Sequence, residues 1–183
     1  MTVSTTALIN DIAYTQISSK TKKAILGQAL FLTFALVLPS ITHRLGLNYL
    51  IAQPMPWMIL FAGLTYGPVS GLIIGASIPL VSSLISGMPV PMMLPLMIPE
   101  LAIYGLIAGL LKNKITAFGA IAASLISGRI VFLILLAITG RLGVPVLEYA
   151  QTTWLPGLTA VILQITLLPI LAGLYINWVK TDK

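Results

Sequence analysis

The sequence contains no cysteine and only one histidine, His43. The chain therefore forms no disulfide, carries no thiol chemistry and cannot build a cysteine or histidine-rich metal site. It also lacks a glycine-rich phosphate loop with its lysine, a serine–histidine–acid set and a zinc signature. We expect neither a metal nor a cofactor, no ATP hydrolysis by this chain, and no enzymatic activity.

Charge is scarce as well: 8% of the 183 residues are charged, whereas 58% are hydrophobic. A soluble domain carries about a quarter charged residues, so the solvent of this chain must be lipid. The net charge of +6 does not indicate nucleic-acid binding, because the few basic residues lie mostly at the ends of apolar runs. We expect a membrane protein with no nucleic-acid partner.

Six apolar segments approach the length of about 20 residues that crosses a bilayer. The second is short and is divided from the third by the Gly67-Pro68 turn, so the count falls to five if the two form one broken span. Residues 1–19 read as an interfacial helix or a disordered tail, ahead of one domain over 20–183. The spans are expected at 24–42, 53–66, 68–86, 92–111, 115–139 and 154–179.

The positive-inside rule supports the even count. With six spans and both termini in the cytoplasm, Arg44 and Arg141 face outward and seven lysines face inward. The sequence thus predicts an all-α membrane protein, a six-transmembrane-helix bundle with both termini cytoplasmic. The inward lysines are Lys20, Lys22, Lys23, Lys112, Lys114, Lys180 and Lys183.

Glu100 and Arg129 interrupt otherwise apolar segments. A charge near the membrane centre costs a few kcal/mol and is rarely left without a partner or a task. Counting from Lys112 and Lys114 at 1.5 Å per residue, Glu100 lies roughly 18 Å and Arg129 roughly 22 Å above the inner boundary. Because the two spans are antiparallel neighbours, we expect the charges to meet in the outer half of the membrane.

Counted in the same way from Lys180, Gln164 lies roughly 24 Å above the inner boundary. Tyr104 lies one helical turn from Glu100 on the same face. These groups form a predicted polar belt from three helices. One interpretation is a structural ion pair that fixes helix register, and the other is a set of polar anchors for a ligand. The second is favoured, because two desolvated charges are a costly way to hold register.

Proline is dense between residues 87 and 99, and methionine accompanies it at positions 88, 92, 93 and 97. Irregular backbone at membrane depth is tolerated when it is buried in protein or lines a cavity, and methionine adapts to irregular apolar shapes. The segment is either a broken helix start or the wall and lid of a cavity that opens outward. Aromatic and amide groups at the outer loops read as an interfacial aromatic belt or as a platform for a ring-bearing ligand. They are Asn48, Tyr49, Gln53, Trp57, Tyr149, Gln151 and Trp154.

Small residues recur at every fourth position through Gly63, Gly67, Gly71 and Gly75. This spacing places them on one helix face, where two backbones can approach closely. Tight packing within the bundle is one interpretation, and a face that slides against a partner protein is the other.

Three stretches resemble the S components of energy-coupling factor (ECF) transporters, which are small six-helix membrane proteins of bacteria that capture a vitamin. They are PMPWMILFAGLTYGPVSGLIIGASIPLVSSLISGMP, MMLPLMIPELAIYGLIAGLL and SLISGRIVF, from Pro54, Met92 and Ser124 onward. The resemblance implies capture of a vitamin-like molecule from the outer side of the bacterial cytoplasmic membrane. It also implies docking on a membrane-embedded coupling protein that carries two ATPase subunits.

The resemblance further implies a ligand region at the outer ends of spans four to six and a docking patch on the first span. The ligand chemistry stays open between pantothenate, a biotin-like acid and a cobalamin-type ring. A structural or assembly protein and a stand-alone secondary carrier remain as alternatives. The implied ligand residues are Met92, Met93, Met97, Glu100, Tyr104, Arg129, Trp154 and Gln164, and the docking candidates are Gly27, Ala29 and Thr33 or instead Gly67, Gly71 and Gly75.

Overall fold

The protein is described by a computed structural model over residues 25–30, 33–34, 37, 53–140 and 145–180. In these ranges the backbone forms helices and no strand. The described residues before position 38 are all helical. The elements that follow are α1 (Pro54–Tyr66), α2 (Pro68–Ser86), a 3-10 turn (Pro91–Met93), α3 (Leu94–Leu111), α4 (Ala117–Thr139) and α5 (Val146–Lys180).

Glycine and proline set most of these boundaries. Gly67, with φ 94°, ends α1, and Pro68 begins α2 at the position where its missing N–H has no helical partner to lose. α2 and α4 end at Gly87 and Gly140, whose φ angles of 72° and 56° are left-handed and favour glycine. At its start, α4 is capped by the Thr116 hydroxyl, which accepts from the Gly119 N–H at 3.2 Å.

Four described helical segments are long and apolar enough to cross a membrane, while α1 is apolar but shorter. The protein is therefore an all-α, multi-pass membrane protein. Its helices expose apolar side chains to the outside, as expected of a bundle surrounded by lipid. The four segments are Pro68–Ser86, Pro91–Leu111, Ala117–Thr139 and Gly157–Val179.

α5 begins at Val146 and not near Trp154, where its apolar run starts. Residues 146–153 contain neither glycine nor proline, so nothing in that stretch stops a helix. An apolar segment locates the part of a helix inside lipid, whereas helix propensity decides where the helix begins. The hydropathy pattern predicted that Tyr149 and Gln151 lie in a loop before the last span. Instead, Tyr149, Gln151 and Trp154 all lie on α5.

α3 lies against both α2 and α4. On the α2 side, a side-chain carbon at Gly71 or Gly105 would collide with the backbone of the other, and one at Gly75 would collide with Leu101. On the α4 side, Gly128 lies against the Tyr104 ring. The glycines at every fourth position thus allow close helix packing inside the bundle.

Candidate functional site

Glu100 on α3 and Arg129 on α4 form a buried ion pair. Nη1 of Arg129 lies 3.0 Å from Oε1 of Glu100. The same carboxylate oxygen accepts a hydrogen bond from the Tyr104 hydroxyl at 2.5 Å. Glu100 is 4% exposed, so the carboxylate is held away from lipid by two donors from two helices.

The local sequence explains this geometry. Tyr104 follows Glu100 by four residues, which stacks the two side chains on one face of α3. Gly128 precedes Arg129 and leaves room for the Tyr104 ring, because a side-chain carbon at Gly128 would collide with that ring and approach the Glu100 carbonyl oxygen. The glycine lets α4 come close enough for Arg129 to reach the carboxylate.

Aromatic side chains flank the guanidinium. Cζ of Arg129 lies 5.9 Å from the centre of the Phe132 ring, within the range of a cation–π contact. Phe132 stacks on Tyr149 of α5 with ring centres 5.5 Å apart and an interplanar angle of 20°. Met93 and Met97 pack against the buried cluster that contains Phe132. The site therefore joins an ion pair to an aromatic and methionine wall.

Phe132 was not among the residues predicted for the site, and Tyr149 was predicted only for an outer loop, in an aromatic belt or a stacking platform. Phe132 lies three positions after Arg129, a spacing that places both on one face of α4, and this signal could have found it. Tyr149 interacts electrostatically with Arg129 and Tyr104. Its position depends on the extension of α5 beyond its apolar run, which hydropathy does not reveal.

Gln164 on α5 is fully buried. Among the described residues, neither its amide nitrogen nor its amide oxygen has a hydrogen-bond partner. The structure therefore places Gln164 inside the bundle, as predicted, but does not hydrogen-bond it to Glu100 or Arg129. The polar belt consists of a closed ion-pair cluster and a separate, unsatisfied amide.

The other predicted ligand residues divide by location. Trp57 and Met97 are half-buried against the main core. Met92 is 49% exposed in the 3-10 turn, so it does not line the ion-pair site in this conformation. The backbone of Trp154 lies on α5, but its side chain is not among the described ones. Asn48 lies outside the described residues.

The docking candidates also divide. Gly27 is buried under the hydroxyls of Tyr66 and Tyr175, which are 2.6 Å apart. Ala29 and Thr33 are exposed. The glycine row at positions 67, 71 and 75 is buried inside the bundle, so it is not available to a partner in this arrangement. Among the predicted docking residues, the free surface is that of Ala29 and Thr33.

Lys112 follows directly after the Pro91–Leu111 span and was expected only as a topology signal. It is 1% exposed, and its Nζ donates to the Leu64 carbonyl oxygen at 2.8 Å. Burial lowers the pKa of the Lys112 ammonium group from 10.5 to about 8. The lysine thus ties the end of α3 to the end of α1 and satisfies a carbonyl in the last turn of α1.

Among the described residues, no group of three or more histidine, cysteine, aspartate or glutamate side chains is placed to hold a metal ion. No protein-family model, no curated protein and no solved structure matches the chain.

Proposed function

We propose that this protein is the substrate-capture subunit of an ECF-type importer in the bacterial cytoplasmic membrane. It takes up a vitamin-like small molecule from the outer side and passes it to a membrane-embedded coupling protein with two ATPase subunits. The observation that carries the proposal is the buried Glu100–Arg129 pair, joined by Tyr104 and walled by Phe132 and methionine.

The proposal includes six membrane spans. α1 is the short second span, and the first runs over residues 24–42, whose described positions are helical. Both termini then lie in the cytoplasm, where Lys112 and Lys114 also fall. In this topology Glu100 and Arg129 lie in the outer half of the bundle, on the side from which substrate arrives.

Ligand binding explains the polar groups better than a register lock does. The α2–α3 contact is held without any charge, through glycine backbones that fit each other, so this bundle can set helix register by shape alone. A buried ion pair contributes little net stability over apolar residues of the same volume. Polar groups that converge from separate helices on one buried region are typical of small-molecule sites.

Ala29 and Thr33 are the proposed contacts with the coupling protein. Both residues are exposed on the N-terminal helical segment, and the Thr33 hydroxyl is already satisfied by the Ala29 carbonyl oxygen at 2.8 Å. The two side chains therefore offer a small and nearly apolar patch, which suits close helix-to-helix contact in lipid.

The test pairs a neutral double variant with the wild-type chain. Glu100→Gln combined with Arg129→Met removes both charges, and the new amide oxygen can still accept from Tyr104. We expect the variant to stay folded, because replacing both members of a buried pair is often neutral. We expect it to lose the small molecule that the wild-type protein retains from a complex growth medium, measured by mass spectrometry after purification in detergent.

A matched variant, Ser77→Ala, removes a polar group that bonds only to its own helix, at the Ile73 carbonyl, and should retain the molecule. In parallel, the tagged wild-type chain should co-purify with ATP-binding subunits from native membranes. Two results contradict the proposal: a double variant that binds as well as wild type, or a wild-type chain that retains no molecule and no ATPase. The first result favours a register lock, and retention without any ATPase favours a stand-alone carrier.

A further inference from the structure

The Gln164 amide is a hydrogen-bonding group that the described part of the chain leaves unused. It is fully buried, and its nitrogen and its oxygen both lack partners. A buried amide without partners destabilises a folded protein, and native proteins hold few such groups. An unsatisfied amide at this depth therefore indicates that something other than the described residues completes it.

Gln164 lies at the depth of the ion pair. It precedes Lys180, at the end of α5, by sixteen residues, or about 24 Å, and Arg129 follows Lys114 by fifteen residues, or about 22 Å. The difference is less than one helical turn. Residues 160, 168, 172 and 176 on its face of α5 are buried too, so the amide points into the bundle and not toward lipid.

The charge of the region restricts what can bind there. In the described membrane-spanning segments, Glu100 and Arg129 are the only charged residues, and their charges cancel. An anionic ligand would place a second negative charge near Glu100, and a cationic ligand would face Arg129. In an apolar medium an added net charge is strongly disfavoured, so an uncharged ligand fits best.

Both atoms of Gln164 can be satisfied at once by one kind of chemical group. An amide offers an N–H donor beside a C=O acceptor, and its complement is an edge that offers an acceptor beside a donor. A lactam, a cyclic urea and a pyrimidinone ring all carry such an edge. A carboxylate only accepts hydrogen bonds. It can accept from the glutamine N–H, but it cannot donate to the glutamine oxygen.

We propose, resting on the capture function above, that the substrate is an uncharged molecule with an amide-type edge and that Gln164 pairs with that edge. The Glu100–Arg129 pair hydrogen-bonds to a second polar part of the molecule, and because its two charges cancel it also disfavours anions and cations. Phe132 and Met97 supply apolar surface for the remainder of the molecule. Gln164 is the specificity-determining residue, and it stays unsatisfied until substrate arrives.

The experiment uses the full chain in detergent and the small molecules of a complex growth medium as the probe. Bound molecules are identified by mass spectrometry for the wild type, for Gln164→Met and for Thr166→Val. Gln164→Met keeps the shape of the side chain and removes its hydrogen bonds. Thr166→Val changes a polar residue that is exposed on the lipid side of α5 and bonds to its own helix.

We expect the wild type to retain an uncharged molecule with a secondary amide, and Thr166→Val to retain the same amount. Gln164→Met should retain about tenfold less, the loss expected for hydrogen bonds to a single edge. It should also melt no lower than wild type, because the unsatisfied amide is gone. A purely structural glutamine would give the opposite pattern, with a lower melting temperature and unchanged retention.

Two outcomes overturn this inference and leave the capture function standing: retention of a charged molecule, or equal retention by Gln164→Met. A wild-type chain that retains neither a molecule nor an ATPase removes the capture function, and this inference with it. A charged molecule would point to rearrangement of the Glu100–Arg129 pair as the recognition step.

Discussion

The contacts on the two faces of α3 differ in their chemistry. Toward α2, the contact is backbone on backbone, with Gly71 against Gly105 and Gly75 against Leu101, and it contains no charged group. Toward α4, a single glycine, Gly128, opens space that a tyrosine ring, a carboxylate and a guanidinium then fill. The first face depends on shape alone, and the second combines shape with charge.

The difference teaches which contact can change in function. A glycine contact in lipid has no alternative arrangement, because any shift loses van der Waals contact or causes a collision. Hydrogen bonds and an ion pair can open when a ligand supplies replacement partners, although losing one partner without replacement is costly. We therefore expect α2 and α3 to move as one unit, and the α3–α4 side to respond to substrate.

The largest effect should come from breaking the glycine face. In Gly105→Ala the new methyl group would collide with the backbone of Gly71, which has no side chain to move aside. We expect a loss of stability of about 3 kcal/mol or more, measured as unfolding in mixed detergent. Gly119→Ala is the matched control, because its methyl group meets only side-chain atoms of Thr116 and Ile115. Equal melting of the two variants would contradict the rigid contact.

A smaller effect is expected on the polar face from the same substitution. The methyl group of Gly128→Ala would collide with the Tyr104 ring, which is a side chain that can shift, and with one backbone atom, the Glu100 carbonyl oxygen, whereas that of Gly105→Ala meets backbone atoms alone. We expect a loss of about 1–2 kcal/mol, together with weaker retention of the small molecule, because Tyr104 can no longer hold Glu100. If Gly128→Ala unfolds the protein as fully as Gly105→Ala does, the two faces do not differ in rigidity.

The smallest effect concerns Lys112, a buried polar group that serves structure and not binding. Its pKa falls from 10.5 to about 8 on folding because burial disfavours the charge. Between these values the unfolded chain binds more protons than the folded one, so the free energy of unfolding rises with pH. From pH 8 to 9 we expect a gain of roughly 1 kcal/mol.

Lys112→Met should remove that gain, and Lys114→Met, which changes an exposed lysine, should keep it. The difference between the two variants isolates Lys112 from other groups that titrate in the same range. An identical pH dependence in both would show that the ammonium group is solvated in the folded protein. Neither variant should affect retention of the small molecule, which separates this polar contact from the one around Glu100.

Much of the helical layout follows from local signals. Gly67-Pro68 and Gly87 bound α2 at the predicted residues 68 and 86, because a proline and a left-handed glycine leave the chain little choice. The pairing of Glu100 with Arg129 is predictable too, since a short loop joins their helices and depth counts from its lysines. These predictions concern residues that are close in sequence, or residues whose depth in the membrane can be counted from the end of a helix.

The remainder depends on which faces meet, and composition does not encode that. Met92 looked like its neighbours Met93 and Met97 in sequence, yet the 3-10 turn leaves it exposed. Gly27 looked like a docking residue, but it accommodates two tyrosine hydroxyls from distant helices. Tyr149 reaches the site only because α5 continues past its apolar run. Each case requires the packing of helices that are remote in sequence.

The proline inside α3, Pro99, has a mechanical consequence. It lacks an amide proton and gives no bond to the Pro95 carbonyl, whereas Pro91 and Pro95 lie at helix starts, where no such bond would form. The N-terminal turns of α3 therefore lack one backbone hydrogen bond, at the residue before Glu100. Tilting this N-terminal portion breaks one backbone hydrogen bond fewer than in a regular helix. The helix α3 is therefore easier to bend directly before the carboxylate of Glu100.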